Sequence, residues 1–241
     1  MRTPSVLAAA AAAAAAANAV PALTSVPPLR LRLLPGLAGV GAPDHVALTF
    51  DDGPAPASTG RFLDQLASRQ VRATFFLLGS MLAEAPDLGR QLVAAGHEVA
   101  VHGWLHRNLL TRTPLATYDD LSRTRDLVAD ATGTVPVFFR PPYGVLTASA
   151  LLAARRLGLR PVLWTCWGRD WTAQATARSV FDTVRRDLRG GGTVLLHDSD
   201  CTSAAGAWRS ALGALPMLLD ECLRRGLRVG TLSEHGLPAR G

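Results

Sequence analysis

From Asp44 onward, short apolar runs alternate with longer stretches in which apolar residues recur at helical spacing. Strand-like runs fall at about 45–50, 73–78, 98–101, 137–139, 161–166, 193–197 and 227–231. Between them, near 58–70, 81–95, 117–132, 147–157, 176–189 and 207–225, apolar positions follow the period of an amphipathic helix. Such alternation predicts parallel strands joined by helical crossovers, hence an α/β fold, either a barrel or an open doubly wound sheet. No Gly-rich phosphate loop follows the first strand, which weighs against a nucleotide-binding sheet. No internal repeat is visible.

The chain before Asp44 follows a different pattern. Met1 and Arg2 precede Val6-Leu7 and ten alanines, Ala8 to Ala17, closing on Ala17-Asn18-Ala19. A basic start, an apolar stretch and an Ala-x-Ala site in that order resemble a secretory signal peptide over residues 1–19. The alternative is a low-complexity tail that stays attached. The alanine run reads as too short for a stable transmembrane anchor. Residues 20–43 carry Pro21, Pro27, Pro28, Pro35 and Pro43, and read as a Pro-rich linker or strap without regular structure. One folded domain is expected over residues 44–235, followed by a short tail, 236–241.

Composition narrows the function. The chain has 241 residues, 25 basic residues that are all Arg, and a net charge of +6. That balance favours anionic surroundings such as an acidic polymer or an anionic envelope. With no Arg-rich run interleaved with aromatics and no finger or helix-turn-helix pattern, nucleic acid is not an expected partner. Cys166, Cys201 and Cys222 match no metal spacing, and an odd count leaves at least one thiol free. A monomer at the cell envelope or outside the cell is expected.

The candidate chemistry sits where the strand-like runs end. Asp51-Asp52-Gly53-Pro54 closes the first run, and two adjacent acids repel unless a positive group lies between them. Capping of the next helix would also account for them. His102 and His106 follow the third run, four positions apart, a spacing that places two imidazoles on one side of a helical turn. With a carboxylate from the first run they make a two-His, one-Asp set with open coordination positions, suited to zinc for hydrolysis or ferrous iron for oxygen chemistry. The second aspartate is then free to take a proton from water, with Arg140 keeping it ionised. His197, oriented by Asp170, is the candidate acid for a leaving group. In barrels, side chains at the carboxyl ends of the strands converge on one face.

Five stretches now line up: Thr49-Phe50-Asp51-Asp52-Gly53-Pro54, His102-x-x-x-His106, Arg140-Pro141-Pro142-Tyr143-Gly144, Asp170-Trp171 and Leu195-x-His197. In order and spacing they resemble the five motifs of the polysaccharide deacetylases, carbohydrate esterase family four, also called the NodB-homology domain. The resemblance covers about residues 44–235. It implies a distorted (β/α) barrel of about seven parallel strands. It also implies a single divalent ion held by Asp52, His102 and His106, usually zinc, with Co2+, Mn2+ or Ni2+ as alternatives. Asp51 is implied as general base, Arg140 as the group orienting it, His197 as general acid and Asp170 as its partner. The backbone N–H of Tyr143 is implied as an oxyanion donor, and Trp171 and Leu195 as walls around the acetyl methyl. The implied substrate is an N-acetylated carbohydrate polymer or oligomer, peptidoglycan or chitin-like. One departure stands out: the family usually has Ser or Thr where this chain has Gly103. Trp104, Trp167, Trp171 and Trp208 are further candidates for stacking on sugar rings, although a tryptophan is more often core. The rival functions are a related hydrolase of a small amide or imide, a silent carbohydrate-binding envelope protein, and the ferrous oxygenase.

Overall fold

The computed structural model describes residues 4–238; the basic start at Met1-Arg2 and positions 239–241 of the tail lie outside the described residues. α1 (Pro4–Ala19), a 3-10 turn (Val20–Ser25) and α2 (Pro27–Leu33) come first. There follow β1 (His45–Asp51), α3 (Thr59–Ser68), β2 (Thr74–Leu77), α4 (Gly79–Glu84), α5 (Pro86–Ala94), β3 (Glu98–Val101), α6 (Pro114–Thr132), β4 (Phe138–Phe139) and α7 (Ala148–Arg156). β5 (Arg160–Pro161), β6 (Cys166–Trp167), α8 (Ala177–Asp187), β7 (Thr193–His197), α9 (Trp208–Arg224) and β8 (Arg228–Gly230) complete the chain.

The expectation that residues 20–43 lack regular structure is corrected. Pro21 and Pro27-Pro28 stand in the first turns of the 3-10 turn and of α2, where a missing N–H costs nothing and a fixed φ favours the helix. Alanine's high helix propensity accounts for α1. The apolar stretch also runs beyond the alanines: Leu7–Ser25, 19 residues of mean hydropathy 1.5, is by length and composition apolar enough to cross a membrane. The alanine run read in the sequence is thus part of a longer apolar stretch, a length that an N-terminal signal sequence also reaches.

All strand pairs are parallel, in the order β5-β4-β3-β2-β1-β7-β6, with β8 alongside the first half of β1. The single strand expected at 161–166 is in fact two short ones, β5 and β6, at opposite edges of the sheet, giving eight strands among the described residues. Val162–Thr165 crosses the seam between those edges, so the barrel is closed by one stretch of chain instead of a ladder. Pro161, which has no N–H to donate, marks where the pairing lapses. The seam's carbonyls are met by guanidinium groups: Arg140 donates to Val162 and Leu163, and Arg30 of α2 donates to Trp164. Both arginines are buried. The segment before β1 closes the other side, since the Leu163 N–H donates to Leu37.

Side chains on β1 alternate. Val46, Leu48 and Phe50 join Phe75, Leu77 and Val99 in the main core under α3, α5, α8 and α9. Ala47, Phe76, Ala100, Phe138 and Val162 form a second, smaller cluster on the other face, inside the barrel. Truncating Phe50, fully buried between Phe62 and Phe75, would cost about 3–5 kcal/mol. On the inward face of β1 the next positions after Ala47 are Thr49 and Asp51, so the same alternation that builds the core delivers the first polar groups of the site.

Candidate active site

Strand register decides which polar groups meet. Asp51 is paired with His197 across β1 and β7, while Val101 is paired with Phe139, which brings His102 and Arg140 side by side. Asp51, His102, His106, Tyr143, Trp171, Leu195 and His197 all line one pocket of about 250 Å³ at the carboxyl ends of the strands. Asp52, Arg140 and Asp170 lie behind its wall, each essentially buried.

Asp52 leaves β1 in the left-handed region, φ 77°, which swings its carboxylate toward the histidines. Its Oδ1 lies 3.3 Å from His102 Nε2 and 3.5 Å from His106 Nε2, and one ligand atom from each of the three residues falls within 4.8 Å of the others. Asp52 Oδ1 and His102 Nε2 are buried with no hydrogen-bond partner. A buried polar atom left alone costs free energy, so these two point to an ion between them. The ring orientation is fixed from outside: His102 Nδ1–H donates to the Arg140 carbonyl at 2.8 Å, which leaves the Nε2 lone pair facing Asp52. The outer oxygen of Asp52 accepts from the Thr202 hydroxyl. Burial opposes a charged Asp52, but the His102 contact outweighs it and holds the carboxyl well below its usual range. Burial pushes His106 down to about 4, so its ring is neutral and able to donate a lone pair. The residues present therefore fit a divalent cation in donor type and separation.

Gly53 is required next to this set. A Cβ there would lie 2.3 Å from a carboxylate oxygen of Asp198, a fully buried acid held by Thr59.

Two pairs flank the three ligands. Arg140 Nη1 donates to Asp51 Oδ1 at 2.6 Å and to Thr49 Oγ1 at 2.8 Å, with its plane 4.0 Å above Phe76. Asp51 Oδ2 is left 3.7 Å from His102 Nε2, facing the pocket. Across the pocket, Asp170 accepts twice from His197, from its backbone N–H at 2.7 Å and from Nδ1–H at 3.1 Å. Burial would lower the His197 pKa, but Asp170 overcomes that and the ring is pushed up to about 10. Its Nε2 is then a proton carrier at neutral pH.

The pocket's apolar wall is a row of tryptophans. Trp164 and Trp167 stack at 5.7 Å, Trp167 and Trp171 lie 4.8 Å apart, and Trp171 meets the His197 ring edge-on at 5.8 Å. Leu195 is buried at the base. Tyr143, exposed and at φ 60°, packs its ring edge-on against His106 with centroids 4.5 Å apart. Of the other tryptophans considered for sugar stacking, Trp208 lies in the main core and Trp104 does not line the pocket.

Sequence reading missed Thr49, Trp164, Asp198, Thr202 and Ser203. Thr49 had a signal, since it shares Asp51's parity on the strand. Thr202 and Ser203 had none, because they sit on an irregular loop that reaches the pocket only through the fold.

Comparison with known proteins places the fold in a family. The polysaccharide deacetylase profile matches residues 38–162. The chitooligosaccharide deacetylase of Bradyrhizobium sp. (strain ANU 289) is 36% identical over 201 residues, spanning 80% of this chain and 89% of that protein. The peptidoglycan-N-acetylglucosamine deacetylase PgdA of Listeria monocytogenes is 36% identical over 161 residues, 67% of this chain but 34% of that longer protein. Among solved structures, a family 4 carbohydrate esterase from Streptomyces lividans in complex with acetate superposes with a TM-score of 0.72 at 31% identity, covering 83% of this chain and 100% of that one. A CE4 family pseudoenzyme from Bacillus anthracis superposes equally well, TM-score 0.72 at 26% identity, over 80% of this chain and 65% of that one. On profile, identity and fold together, the chain belongs to the polysaccharide deacetylase family.

Proposed function

We propose that this protein is a metal-dependent deacetylase of N-acetylated sugars in an oligosaccharide or polysaccharide, with Asp52, His102 and His106 holding one divalent ion, preferably Zn2+. The carrying observation is the convergence of two unpartnered buried ligand atoms, Asp52 Oδ1 and His102 Nε2, beside His106 and between the Asp51–Arg140 and Asp170–His197 pairs. A cation bound there supplies Lewis acidity toward water and the acetamide oxygen. Asp51, held in place by the Arg140 guanidinium, takes a proton from the water that attacks the carbonyl carbon. The Tyr143 N–H donates to the oxygen as negative charge grows on it. When the C–N bond breaks, His197 gives its Nε2 proton to the departing nitrogen, and Asp170 keeps the ring turned to do so. Acetate and a free amino sugar result. Trp171 and Leu195 bound the space for the acetyl methyl, and Trp167 extends the aromatic wall outward for a sugar ring.

The relatives' names supply two substrate classes, chitooligosaccharides and peptidoglycan N-acetylglucosamine. The apolar, unburied α1 and the positive net charge support work outside the membrane on a wall polymer. The test is acetate release from N-acetylglucosamine oligomers, peptidoglycan and acetylated xylan, with and without chelator, beside a small cyclic imide. Release from the N-acetylated substrates that chelator stops and zinc restores is the expected result. Turnover of the imide alone would favour the small-amide hydrolase, and no turnover of any substrate by zinc-loaded protein would place the chain with the silent members of its fold.

A further inference from the structure

The loop between the two metal-site histidines takes left-handed backbone at both ends. Gly103 has φ +88° and His106 has φ +52°, the latter a conformation that residues with a Cβ seldom adopt. Such a loop stays in place only when its surroundings hold it. Gly103 has no side chain to do so, yet the loop is tied at three points. The Gly79 and Ser80 N–H groups, at the start of α4, donate to the Gly103 and Trp104 carbonyls at 3.0 and 3.1 Å. Arg123 of α6 lies 3.4 Å over the Trp104 ring. Asp120 of α6 accepts from the Trp104 N–H at 2.8 Å, through the same oxygen that a Cβ on Gly103 would approach to 3.0 Å. The other Asp120 oxygen lies 3.5 Å from Arg112 Nη2, which itself donates to the Ala116 carbonyl.

We infer that Asp120 is a positioning residue for the metal centre, its carboxylate fastening the His102–His106 loop to α6 in place of any side chain at Gly103. It touches neither substrate nor ion. Its effect passes through the Trp104 N–H to the spacing of the two imidazoles. A hydrogen bond from N–H to a charged acceptor is worth more than a neutral one, and the acceptor here is partly shielded from water. Outer groups that orient metal ligands are typically worth 10–100-fold in affinity.

This inference rests on the proposed metal centre, and the test separates the two. Zinc affinity of the full chain is measured by competition with a chromophoric chelator, for the parent, Asp120→Ala, Asp120→Asn and Gly103→Ser. A parent that binds no zinc overturns the metal centre and the inference with it. If the parent binds, Asp120→Ala is expected to weaken zinc about 10-fold. Asp120→Asn, which keeps an acceptor oxygen, is expected to lose no more than about threefold, with kcat of both variants returning to the parental value at saturating zinc. Gly103→Ser is expected to weaken zinc too, since it forces a side chain into a left-handed position against Asp120. If Asp120→Ala does not fold, Asp120→Ser takes its place, its hydroxyl being too short to reach the Trp104 N–H. Parental zinc affinity in the Ala or Ser variant overturns the assignment, as does equal loss in the Asn variant.

Discussion

The two ends of the barrel each carry a buried pair of histidines, and the pairs have the same outline. His102 and His106 lie with ring centroids 5.0 Å apart at 49°, and so do His45 and His235. At the amino-terminal end the pair is closed on itself. His45 Nδ1 and His235 Nδ1 share one hydrogen bond of 2.8 Å, and His235 Nε2–H faces the Gly39 and Gly191 carbonyls at 3.1 Å each. At the carboxyl-terminal end the rings face an acid and leave buried atoms unpartnered. β1 connects both, with His45 at its start and Asp51 at its end. Ring distance and burial therefore do not identify a metal site; unmet lone pairs next to a carboxylate do. One pair ties the strap before β1 to the end of the chain, and the other has the donor set of the proposed metal centre.

The sharpest way to break this contrast is to remove one ring from each end. His102→Ala is expected to abolish zinc binding, seen as metal content near zero after dialysis, and to abolish acetate release, as exhaustive chelation does in the parent. His235→Ala is expected to leave zinc affinity and kcat/KM within about twofold of the parent. It should instead lower Tm, because His45 Nδ1 loses its partner while the Gly39 and Gly191 carbonyls keep the Thr193 hydroxyl and the Gly41 N–H, at a cost of about 1–3 kcal/mol. Loss of zinc on changing His235, or retention on changing His102, would reverse the assignment of the two ends.

The next largest effect separates metal binding from proton transfer within the upper end. Asp51→Asn keeps the shape of the side chain and its contact with Arg140 but cannot take a proton. It is expected to lower kcat/KM by about 10³-fold with zinc content unchanged, within the range that a positioned base contributes. Zinc lost together with activity would make Asp51 a ligand.

Much of this was legible before any coordinates. The carboxyl ends of the strand-like runs carry Asp51, His102, Arg140 and His197, and parallel strands joined by crossovers bring such ends together. What escaped follows from physical causes. The run at 161–166 looks like one strand because composition reports burial, while the split into β5 and β6 depends on Arg140 and Arg30 satisfying the carbonyls between them. Prolines at residues 21–28 read as breakers, although at the first turn of a helix they favour it. Thr202 and Asp120 meet the metal loop or its ligand across 150 and 16 positions of sequence, and only the fold makes them neighbours.

One histidine from each end, His235 and His197, should also respond to pH in opposite directions, measured on metal-free protein. Burial, and then His45, pushes His235 down to about 4 from an ordinary 6.5. Its folded pKa is below its unfolded one, so the unfolded chain binds more protons in that window. Stability from this end is complete above about 6.5 and falls as pH drops toward 4. His197 is the reverse: Asp170, acting against burial, lifts it to about 10. Its contribution is complete below about 6.5 and is lost as pH rises toward 10. Tm followed against pH should show His235→Ala flattening the acid limb alone, and Asp170→Asn the alkaline limb alone. Both limbs moving in one variant would mean that the ends are coupled through β1.

The smallest effect concerns how firmly the upper end holds its carboxylate. Thr202 lies on the loop after β7, and its hydroxyl donates to the Asp52 oxygen that faces away from the histidines. That contact fixes which oxygen of Asp52 is offered to the cation. Thr202 is exposed, so in Thr202→Val water takes over part of its role and the loss is modest. Zinc affinity is expected to fall about threefold, below the 10–100-fold typical of well-buried orienting groups, with kcat unchanged at saturating metal. A loss of 100-fold would mean that this loop, and not the strand ends alone, builds the metal centre. The contrast between the two ends would then lie in a segment that the alternation of strands and helices does not specify.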